Sequence, residues 1–514
     1  MKKKFNITGL CIPEKHYMVD ISDRVNEMLE MIEDEEYFTI NRPRQYGKTT
    51  TLSLLAKKLK EKYYVIGTSF EGASDKMFSS EEDFCGSILN KFADSLVLID
   101  KEFSDILREY QKSSKTFDSL SNVIRELIIH LDKEIVLLID EVDKDSNSRT
   151  FFKFLGLLRN KYLARAEGKD KTFKSVILAG VHDIKNLKLD IRDINDARLN
   201  SPWNIAMDFD IDMSFKAKEI SKMLDQYKSD YHLNFDTEDI AQEIYRLTNG
   251  YPYLVSRICM LIDSDKEEKK NWTLSGIGKA AKRMLNERNA LFDDVIKNIK
   301  NNHQIEAVVR GLLFEGNPIS YNHYTYEEGI IYGIFVEREG KLAIHNALFE
   351  TSLYNYLLEQ QNVRNLLTSG MSDGINQFTE SGSLDMVLLL SKFREFMRQE
   401  YREQDGDFYE ANGRLIFLSF IRPIINGTGF YFIEAQTRQN KRMDVVVVYG
   451  NRKYVIELKL WRGSQYEQDG FLQLADYLNI QKQHEGYMLT FGFGKEQEPE
   501  WITVSGKKVF NVIV

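Results

Sequence analysis

A short apolar strand, a polar loop and a helix that opens at Gly-Lys-Thr constrain the fold of this chain most. They occupy residues 37 to 55, with the sequence YFTINRPRQYGKTTTLSLL. Backbone N–H groups of such a loop and the helix N-terminus can surround phosphates, while a lysine reaches them and a hydroxyl holds Mg²⁺. The pattern therefore predicts a nucleotide site, formed by Arg44, Gly47, Lys48, Thr49 and Thr50.

A second segment, EIVLLIDEVDK, has five apolar residues from Ile135 to Ile139 that lead into Asp140 and Glu141. This is typical of a buried strand in a parallel sheet. At such a strand end Asp140 would bind Mg²⁺ through water, and Glu141 would polarise the hydrolytic water. Buried strands often end in acidic residues, so the joint occurrence with the Gly-Lys-Thr loop, in this order, is what favours a site for ATP and Mg²⁺.

The first glycine of the usual phosphate-binding motif would stand at position 42, where the chain has Arg42. The RPRQYGKTT loop, with NSPWNI at 200 to 205 and LTNGYPYLVSRI at 247 to 258, resembles prokaryotic AAA-like ATPases related to archaeal ATPases and STAND signalling proteins. An Arg-Pro-Arg opening is common in that group. A Gly-x-Pro of its helical lid contacts the nucleotide base, and here it maps to Gly250 and Pro252.

The same resemblance suggests residues that would act on the γ-phosphate. A third strand, SVILAGVHD at 175 to 183, ends in polar groups where a γ-phosphate sensor would lie. Its candidates are His182 and Asp183, although strands also end in polar residues where they reach solvent. The candidates for an arginine finger are Arg192 and Arg198.

Near the C-terminus, residues 443 to 460 have the sequence MDVVVVYGNRKYVIELKL, two strand-forming runs around Gly450-Asn451. This pair favours a two-residue turn, so the segment predicts a β-hairpin in which Tyr449 faces Arg452.

Counting outward from that turn sets Asp444 opposite Glu457, with Lys459 on the same face because side chains alternate along a strand. Two facing carboxylates in a partly buried place need a cation or a shared proton. A divalent metal such as Mg²⁺, held by both carboxylates beside a lysine, suits phosphodiester hydrolysis. An exposed hairpin with a surface Glu-Lys pair is the alternative.

Asp444 followed by Glu457-Leu458-Lys459 resembles the PD-(D/E)XK nuclease superfamily, over roughly residues 400 to 514. Other candidates follow from the same resemblance. Gln473 and Tyr477 lie four apart, as in the Gln-x-x-x-Tyr motif of some of these nucleases. In the predicted helix FYEANGRLIFLSFI, Glu410 is the candidate for an additional carboxylate near the metal, ahead of Glu434.

The whole chain has 514 residues, a net charge of −9 and three separated cysteines. The length predicts two to four domains. No apolar stretch suits a signal peptide or a membrane span, so we expect a cytoplasmic protein without a membrane partner. An acidic chain does not coat nucleic acid, so any contact must be local. Local basic residues surround the hairpin, namely Arg438, Lys441, Arg442, Arg452, Lys453, Lys459 and Arg462.

These patterns predict an α/β protein in which a P-loop NTPase parallel sheet with a helical lid and winged helix precedes a C-terminal α/β restriction-endonuclease-like domain. After helical stretches, IIYGIFVER at 330 to 338 and KLAIHN at 341 to 346 predict a β-hairpin around Glu339-Gly340, which suggests the winged helix. This module would bind DNA or, as we favour, brace the ATPase. The expected divisions are 1–213 for the ATPase core, 214–285 for the lid, 286–365 for the winged-helix-like part, 366–407 for a connector and 408–514 for the nuclease-like domain.

The resulting hypothesis is an ATPase that regulates a metal-dependent nuclease acting on DNA or RNA. Proteins of this architecture resemble components of bacterial defence or mobile-element biology. The alternatives are a nucleotide-dependent switch or scaffold that binds nucleic acid or protein without cleavage, and an ATPase with a degenerate nuclease remnant. The sequence is compatible with a monomer or a homo-oligomer.

Overall fold

The computed structural model describes the chain apart from residues 1, 143–147, 182–187, 190–198, 201–202, 204, 210, 266–269, 316–318, 361–377, 380–382, 401–405, 426–428, 433–444, 451, 462–463, 482 and 493–496. The chain divides into two compact units. Residues Ile7–Ser214 form the first, and Lys2–Asn6 with Phe215–Val514 form the second. Within the described residues, no helix combines the length and apolar character needed to cross a membrane.

A parallel five-stranded sheet, in the order β2-β3-β4-β1-β7, forms the centre of the first unit. Every residue of its inner strand β3 is buried, as the apolar run before Asp140 predicts. This is the predicted α/β fold of P-loop NTPases. The five strands are β1 (Phe38–Asn41), β2 (Tyr64–Ser69), β3 (Ile135–Asp140), β4 (Ser175–Gly180) and β7 (Met207–Asp208).

Four helices of the first unit begin at side chains that satisfy free backbone N–H groups. Ser80, Asp100, Thr116 and Ser148 each accept a hydrogen bond from the first turn of the helix that follows. The helices are α1 (Ser22–Glu33), α2 (Lys48–Leu59), α3 (Lys76–Ser79), α4 (Glu81–Leu96), α5 (Lys101–Ser113), α6 (Phe117–His130) and α7 (Arg149–Ala166); β5 (Lys188–Leu189) and β6 (Leu199–Asn200) form a separate small ladder.

The second unit begins with a group of helices, as predicted from the charged, helical period of this region. Helix α9 ends at Thr248, where Asn249 and Gly250 adopt positive φ angles of 48° and 71°. Four helices form the helical segment, α8 (Ala217–Tyr231), α9 (Thr237–Thr248), α10 (Pro252–Ser264) and α11 (Leu274–Asn286).

A β-hairpin follows further helices, as predicted, but its first strand is shorter than the sequence suggests. The apolar residues Ile330 and Ile331 belong to α14, because Gly333, with a φ of 70°, ends that helix before the strand begins at Phe335. The elements are α12 (Ala290–Asn301), α13 (His303–Arg310) with a π-helical turn (Gly311–Glu315), α14 (His323–Ile331), β8 (Phe335–Arg338), β9 (Lys341–Ile344) and α15 (Ala347–Gln360).

A six-stranded mixed sheet, in the order β10-β11-β12-β13-β15-β14, forms the C-terminal part. Its strands are β10 (Gly429–Phe432), β11 (Val445–Tyr449), β12 (Arg452–Leu460), β13 (Glu485–Phe491), β14 (Glu500–Val504) and β15 (Lys507–Ile513), and its helices are α16 (Met386–Glu400), α17 (Gly406–Ile425) and α18 (Ser464–Ile480). Helices α16 and α17 contact Phe491 of β13, whereas α18 contacts Gly486 of the same strand. These two residues are an odd number of positions apart and therefore face opposite sides of the sheet. The sheet therefore lies between two helical layers.

The predicted register of the C-terminal hairpin is confirmed. Tyr449 faces Arg452 across the turn, and the antiparallel ladder continues outward to Val445 opposite Ile456. Gly450 adopts a φ of 56°, the left-handed conformation that a tight hairpin turn requires.

Candidate functional site

The predicted phosphate-binding loop has the backbone of a strand-to-helix turn. Gly47 adopts a φ of 86°, which strains any residue with a side chain, and α2 begins at the next residue. Lys48 is buried, and its Nζ donates hydrogen bonds to the backbone oxygens of Arg42 at 2.9 Å and Pro43 at 3.1 Å. The ammonium group of Lys48 is thus held against backbone carbonyl groups of the loop.

Two side chains from separate elements meet beside this loop. The Thr49 hydroxyl donates a hydrogen bond of 2.7 Å to Asp140 Oδ2, and the Glu141 N–H donates to the other carboxylate oxygen at 2.9 Å. Glu141 has a φ of 52°, an uncommon conformation for a residue with a side chain. A hydroxyl beside a carboxylate is the oxygen donor set that Mg²⁺ prefers, so Thr49 and Asp140 fit this ion.

Arg42 has a structural connection that sequence reasoning did not find. Its guanidinium Nη2 donates hydrogen bonds to the backbone oxygens of Phe209 at 2.9 Å and Ile211 at 2.7 Å. Nearby, Arg24 donates to the backbone oxygens of Asp212 and Ser214. The sequence signal for a special role of Arg42 was that it replaces the usual glycine. Its partners Phe209 and Ile211 lie too far along the chain to be inferred from the sequence.

The remaining predicted nucleotide-binding residues have varied surroundings. Thr50 Oγ1 accepts a hydrogen bond of 3.3 Å from the Cys11 N–H, while Arg44 is exposed. Gly250 lies against Phe215, whose backbone oxygen would be 2.1 Å from an added Cβ, and Pro252 is buried at the start of α10. The predicted contact of Gly250 and Pro252 with a nucleotide base stays a prediction. Outside the described residues lie His182, Asp183, Arg192 and Arg198.

In the C-terminal sheet, strand β12 carries a buried ion pair. Glu457 is fully buried, and its Oε1 lies 3.0 Å from Nζ of Lys459, whose side chain is 13% exposed. The same Nζ donates a hydrogen bond of 3.1 Å to Gln473 Oε1 on α18. The alternative of an exposed hairpin with a surface pair is therefore wrong.

Helix α18 covers this pair with the predicted Gln-x-x-x-Tyr residues. Tyr477 is buried one turn beyond Gln473. The ring of Tyr466, an exposed residue near the start of the helix, has its centre 5.5 Å from Lys459 Nζ. At Gly470 an added Cβ would be 3.2 Å from Lys459 Cε, so a small residue lets the helix approach the lysine closely.

Three predicted carboxylates cannot be placed at this site. Asp444 and Glu434 lie outside the described residues, and so does the side chain of Glu410, whose backbone belongs to α17 as predicted. Because Val445 pairs with Ile456, one further step of the same ladder would set Asp444 opposite Glu457. That position remains a prediction.

Two polar residues of the neighbouring strands join this face and were missed by sequence reasoning. Thr490 of β13 pairs with Lys459, and Asn511 of β15 pairs with Met488, which itself pairs with Glu457. Thr490 is 1% exposed and Asn511 is 4% exposed. Within the described part of the chain, Thr490 Oγ1 and Asn511 Oδ1 make no hydrogen bond. Their occurrence inside buried apolar strands was the signal.

The predicted basic cluster around the hairpin is only partly a surface. The Lys453 side chain is only 5% exposed, and its Nζ lies 3.0 Å from Glu243 Oε2 of the helical segment. This lysine is therefore occupied by a carboxylate and cannot contribute to a phosphate-binding patch, because burial and ion pairing remove it from solvent. Arg438, Lys441, Arg442 and Arg462 lie outside the described residues.

Comparison with known families matches residues 19–360 to a family described as "AAA-like domain". No curated protein matches the chain. Among solved structures, the chain is similar to the Walker-type ATPase PABY2304 of Pyrococcus abyssi, with 14% identity, a TM-score of 0.44, and coverage of 68% of this chain and 99% of that one. It is also similar to the ORC2 protein of Aeropyrum pernix (10% identity, TM-score 0.36, coverage 66% and 93%) and to the Thermotoga maritima RuvB Holliday junction branch migration motor (13%, 0.33, 63% and 92%).

Proposed function

The chain belongs to the AAA-like domain family, and from this membership we propose that it binds ATP with Mg²⁺ and hydrolyses the nucleotide. The observation that carries the proposal is the hydrogen bond between Thr49 and Asp140 directly beside the loop of Lys48. A phosphate-binding loop and an acidic strand end that meet in this way form both halves of a nucleotide–metal site.

The chemistry follows from these groups. Lys48 would exchange its backbone carbonyl partners for the β- and γ-phosphate oxygens, and Thr49 with Asp140 would hold Mg²⁺, which would supply positive charge to the phosphates. Glu141 directly follows Asp140 and would polarise the attacking water. Gly250 and Pro252 would contact the base, as the family resemblance implies.

Substitution of Lys48 tests this proposal. We expect Lys48→Ala to abolish ATP binding in equilibrium titration, since the removed ammonium group carries the main contact with the phosphates. The control is Lys57→Ala on the same helix, an exposed lysine that pairs with Glu14. Unchanged ATP affinity in a folded Lys48→Ala protein would refute the assignment of the loop.

For the C-terminal domain we propose a Mg²⁺-dependent phosphodiesterase site of the PD-(D/E)XK type that acts on nucleic acid and is controlled by the nucleotide state. The buried pair of Glu457 and Lys459, bound to Gln473 of α18, supports this proposal. A buried carboxylate with an ammonium group beside it requires a specific reason, because taking both charges out of water is costly.

At this site Glu457 would hold the metal together with Asp444, and Glu410 would add a further carboxylate. Lys459, oriented by Gln473, would place the attacking water and stabilise the negative charge that develops on phosphorus. The Tyr466 ring near Lys459 is an exposed platform on which a nucleobase could stack.

A switch or scaffold without cleavage is the second candidate, and one observation favours it. Lys459 Nζ lies 3.0 Å from Glu457 Oε1 and already neutralises the charge of this carboxylate. Such a domain would bind nucleic acid or protein and report the nucleotide state of the ATPase.

A cleavage assay separates the two candidates. Single- and double-stranded DNA and RNA are incubated with the full chain, ATP and Mg²⁺, with Lys459→Met and Asp444→Asn beside the wild type. Loss of cleavage in both variants supports the phosphodiesterase. Absence of cleavage by the wild type under all these conditions favours the switch, and equal cleavage by all three proteins refutes the site.

A further inference from the structure

Helix α9 of the helical segment and strand β12 of the C-terminal sheet share a buried ionic cluster. Glu243 accepts from Lys453 at 3.0 Å and from Arg246 at 2.8 and 3.0 Å. Lys453 also donates a hydrogen bond of 2.8 Å to Gln481, next to the end of α18. Glu243 of the helical segment thus binds Lys453 of β12. The same lysine binds Gln481 at the end of α18, the helix that covers the candidate nuclease site.

The Glu243 carboxyl group of this cluster is ionised at neutral pH. Burial alone would raise the pKa of Glu243, but the positive charges of Arg246 and Lys453 outweigh burial and lower its pKa to about 2. The side chains of Glu243 and Lys453 are 9% and 5% exposed, so solvent screens their attraction little. Removing one partner of such a pair leaves an uncompensated buried charge.

A second contact joins the same parts of the chain at another place. The ring of Phe430 on β10 packs directly on Gly278 of α11, where an added Cβ would lie 1.6 Å from ring carbons. The next residue, Tyr431, donates a hydrogen bond of 2.9 Å to Asn355 of α15. The C-terminal sheet therefore contacts the helices through packing and a hydrogen bond at its edge strand β10, as well as through the ion pair at β12.

Strand β12 connects this cluster to the candidate catalytic pair. Lys453, Glu457 and Lys459 are separated by even numbers of residues, so their side chains lie on one face of the strand. At roughly 3.3 Å per residue, the ion pair to α9 lies about 13 Å from Glu457 along that strand. A displacement of α9 acts on β12 close to the proposed active site.

We propose that the Glu243–Lys453 ion pair couples the helical segment to strand β12, so that a nucleotide-dependent movement of these helices repositions Glu457 and Lys459. This inference rests on the proposed function, because it assigns the residues through which ATP would control the C-terminal site. The packing of Phe430 on Gly278 keeps the sheet in contact with the helices while the ion pair transmits the movement.

Hydrogen exchange on the full chain, with and without ATP and Mg²⁺, tests the coupling without requiring nuclease activity. In the wild type, we expect ATP to change exchange in α2, in α8 to α10 and in β12 together. The change in β12 should be at least about fivefold, the lower range of ordinary allosteric couplings.

The test variant combines Glu243→Gln with Lys453→Met, which removes the ion pair between α9 and β12, while the amide that replaces the carboxylate still accepts a hydrogen bond from Arg246. Its matched control is Glu238→Gln with Lys508→Met, two exposed charges on the same helix and the same sheet. We expect the test variant to keep the response of α2 and α8 to α10 but to lose that of β12, whereas the control keeps all three.

A second variant addresses the other contact. Gly278→Ala should displace Phe430 and reduce the β12 response, while Gly156→Ala in α7, where an added Cβ meets no atom within 4 Å, should not. The coupling is overturned if ATP changes hydrogen exchange in β12 fully in both test variants. It is also overturned if ATP changes exchange in α2 of the wild type but not in β12. Either result leaves the proposed ATPase intact. If ATP does not change hydrogen exchange in α2, ATP binding is contradicted, and the coupling that depends on it is contradicted as well.

Discussion

Thr49 donates a hydrogen bond of 2.7 Å to Asp140, a residue 91 positions further along the chain. The helix that follows the phosphate-binding loop and the end of an inner strand of the parallel sheet are thereby joined. Because both oxygens are suited to Mg²⁺, the pair would link nucleotide binding to the metal under the proposed function.

Replacing Asp140 with Asn should separate nucleotide binding from its metal dependence. The amide retains the hydrogen bond with Thr49 but loses the negative charge that attracts Mg²⁺. We expect ATP affinity in EDTA to be unchanged, and the gain in affinity on adding Mg²⁺ to fall by at least about tenfold, equivalent to about 1.4 kcal/mol. Isothermal titration measures both values, and an intact Mg²⁺ effect would argue against Asp140 as part of the metal site.

Restoring the usual glycine at position 42 should destabilise the first unit. Arg42→Gly removes hydrogen bonds to the backbone oxygens of Phe209 and Ile211, and bonds from charged donors contribute about 1.5–3 kcal/mol each. We expect the free energy of unfolding to fall by about 3–6 kcal/mol in urea denaturation. Arg44→Gly is the matched control, since Arg44 is exposed in the same loop; an equal loss in both variants would contradict the role of Arg42.

Replacing Thr490 with Val should stabilise the fold and weaken the candidate nuclease. Thr490 Oγ1 is buried and makes no hydrogen bond within the described residues, and such a group costs about 1–3 kcal/mol. We expect Thr490→Val to raise the free energy of unfolding by about 1 kcal/mol and to slow Mg²⁺-dependent cleavage. Thr503→Val on exposed β14 is the control. Lower stability with full cleavage activity would show that the hydroxyl only supports packing.

The contribution of Glu243 to the free energy of unfolding should decrease as the pH is lowered. Its pKa is lowered from 4.5 to about 2 by Arg246 and Lys453, against the effect of burial. A carboxyl group with a depressed pKa stabilises the fold above its unfolded pKa, and this stabilisation is lost as pH falls through the folded pKa. At pH 7 we expect Glu243→Gln to cost about 3 kcal/mol, at the lower end for breaking a buried pair because the amide keeps hydrogen bonds.

Urea denaturation of the wild type and of Glu243→Gln at a series of pH values measures this effect. The difference between the two proteins should be constant above about pH 5 and shrink between about pH 5 and pH 2. Glu238→Gln, on the exposed side of α9, should show no such window. A difference that grows on acidification would mean that Glu243 is not held in its charged form.

Several local features could be predicted from residues close together in the chain. The buried strand β3, the loop before α2 and the register of Tyr449 opposite Arg452 all follow from apolar runs and turn residues. The error at Ile330 and Ile331 was also local, since an apolar run of this length suits a strand or a buried helix, and only the helix stop at Gly333 decides between them.

The candidate sites were predicted only in part, because their members come from separate elements. Lys459 and Glu457 lie on one strand and were found, while Thr490 and Asn511 reach the same face only through the order β12-β13-β15. Lys453 was predicted as part of a basic surface, and its pairing with Glu243, 210 residues away, removes it from that surface.

The amino-acid sequence by itself determined where the chain turns, which strands are buried and which residues carry the phosphate-binding loop, since these depend on side-chain period and backbone preference within a few residues. The tertiary structure alone decided which distant side chains share a face. Strand order, helix docking and the seat of Phe430 on Gly278 depend on how whole elements fit together, and neither spacing nor composition encodes that fit locally.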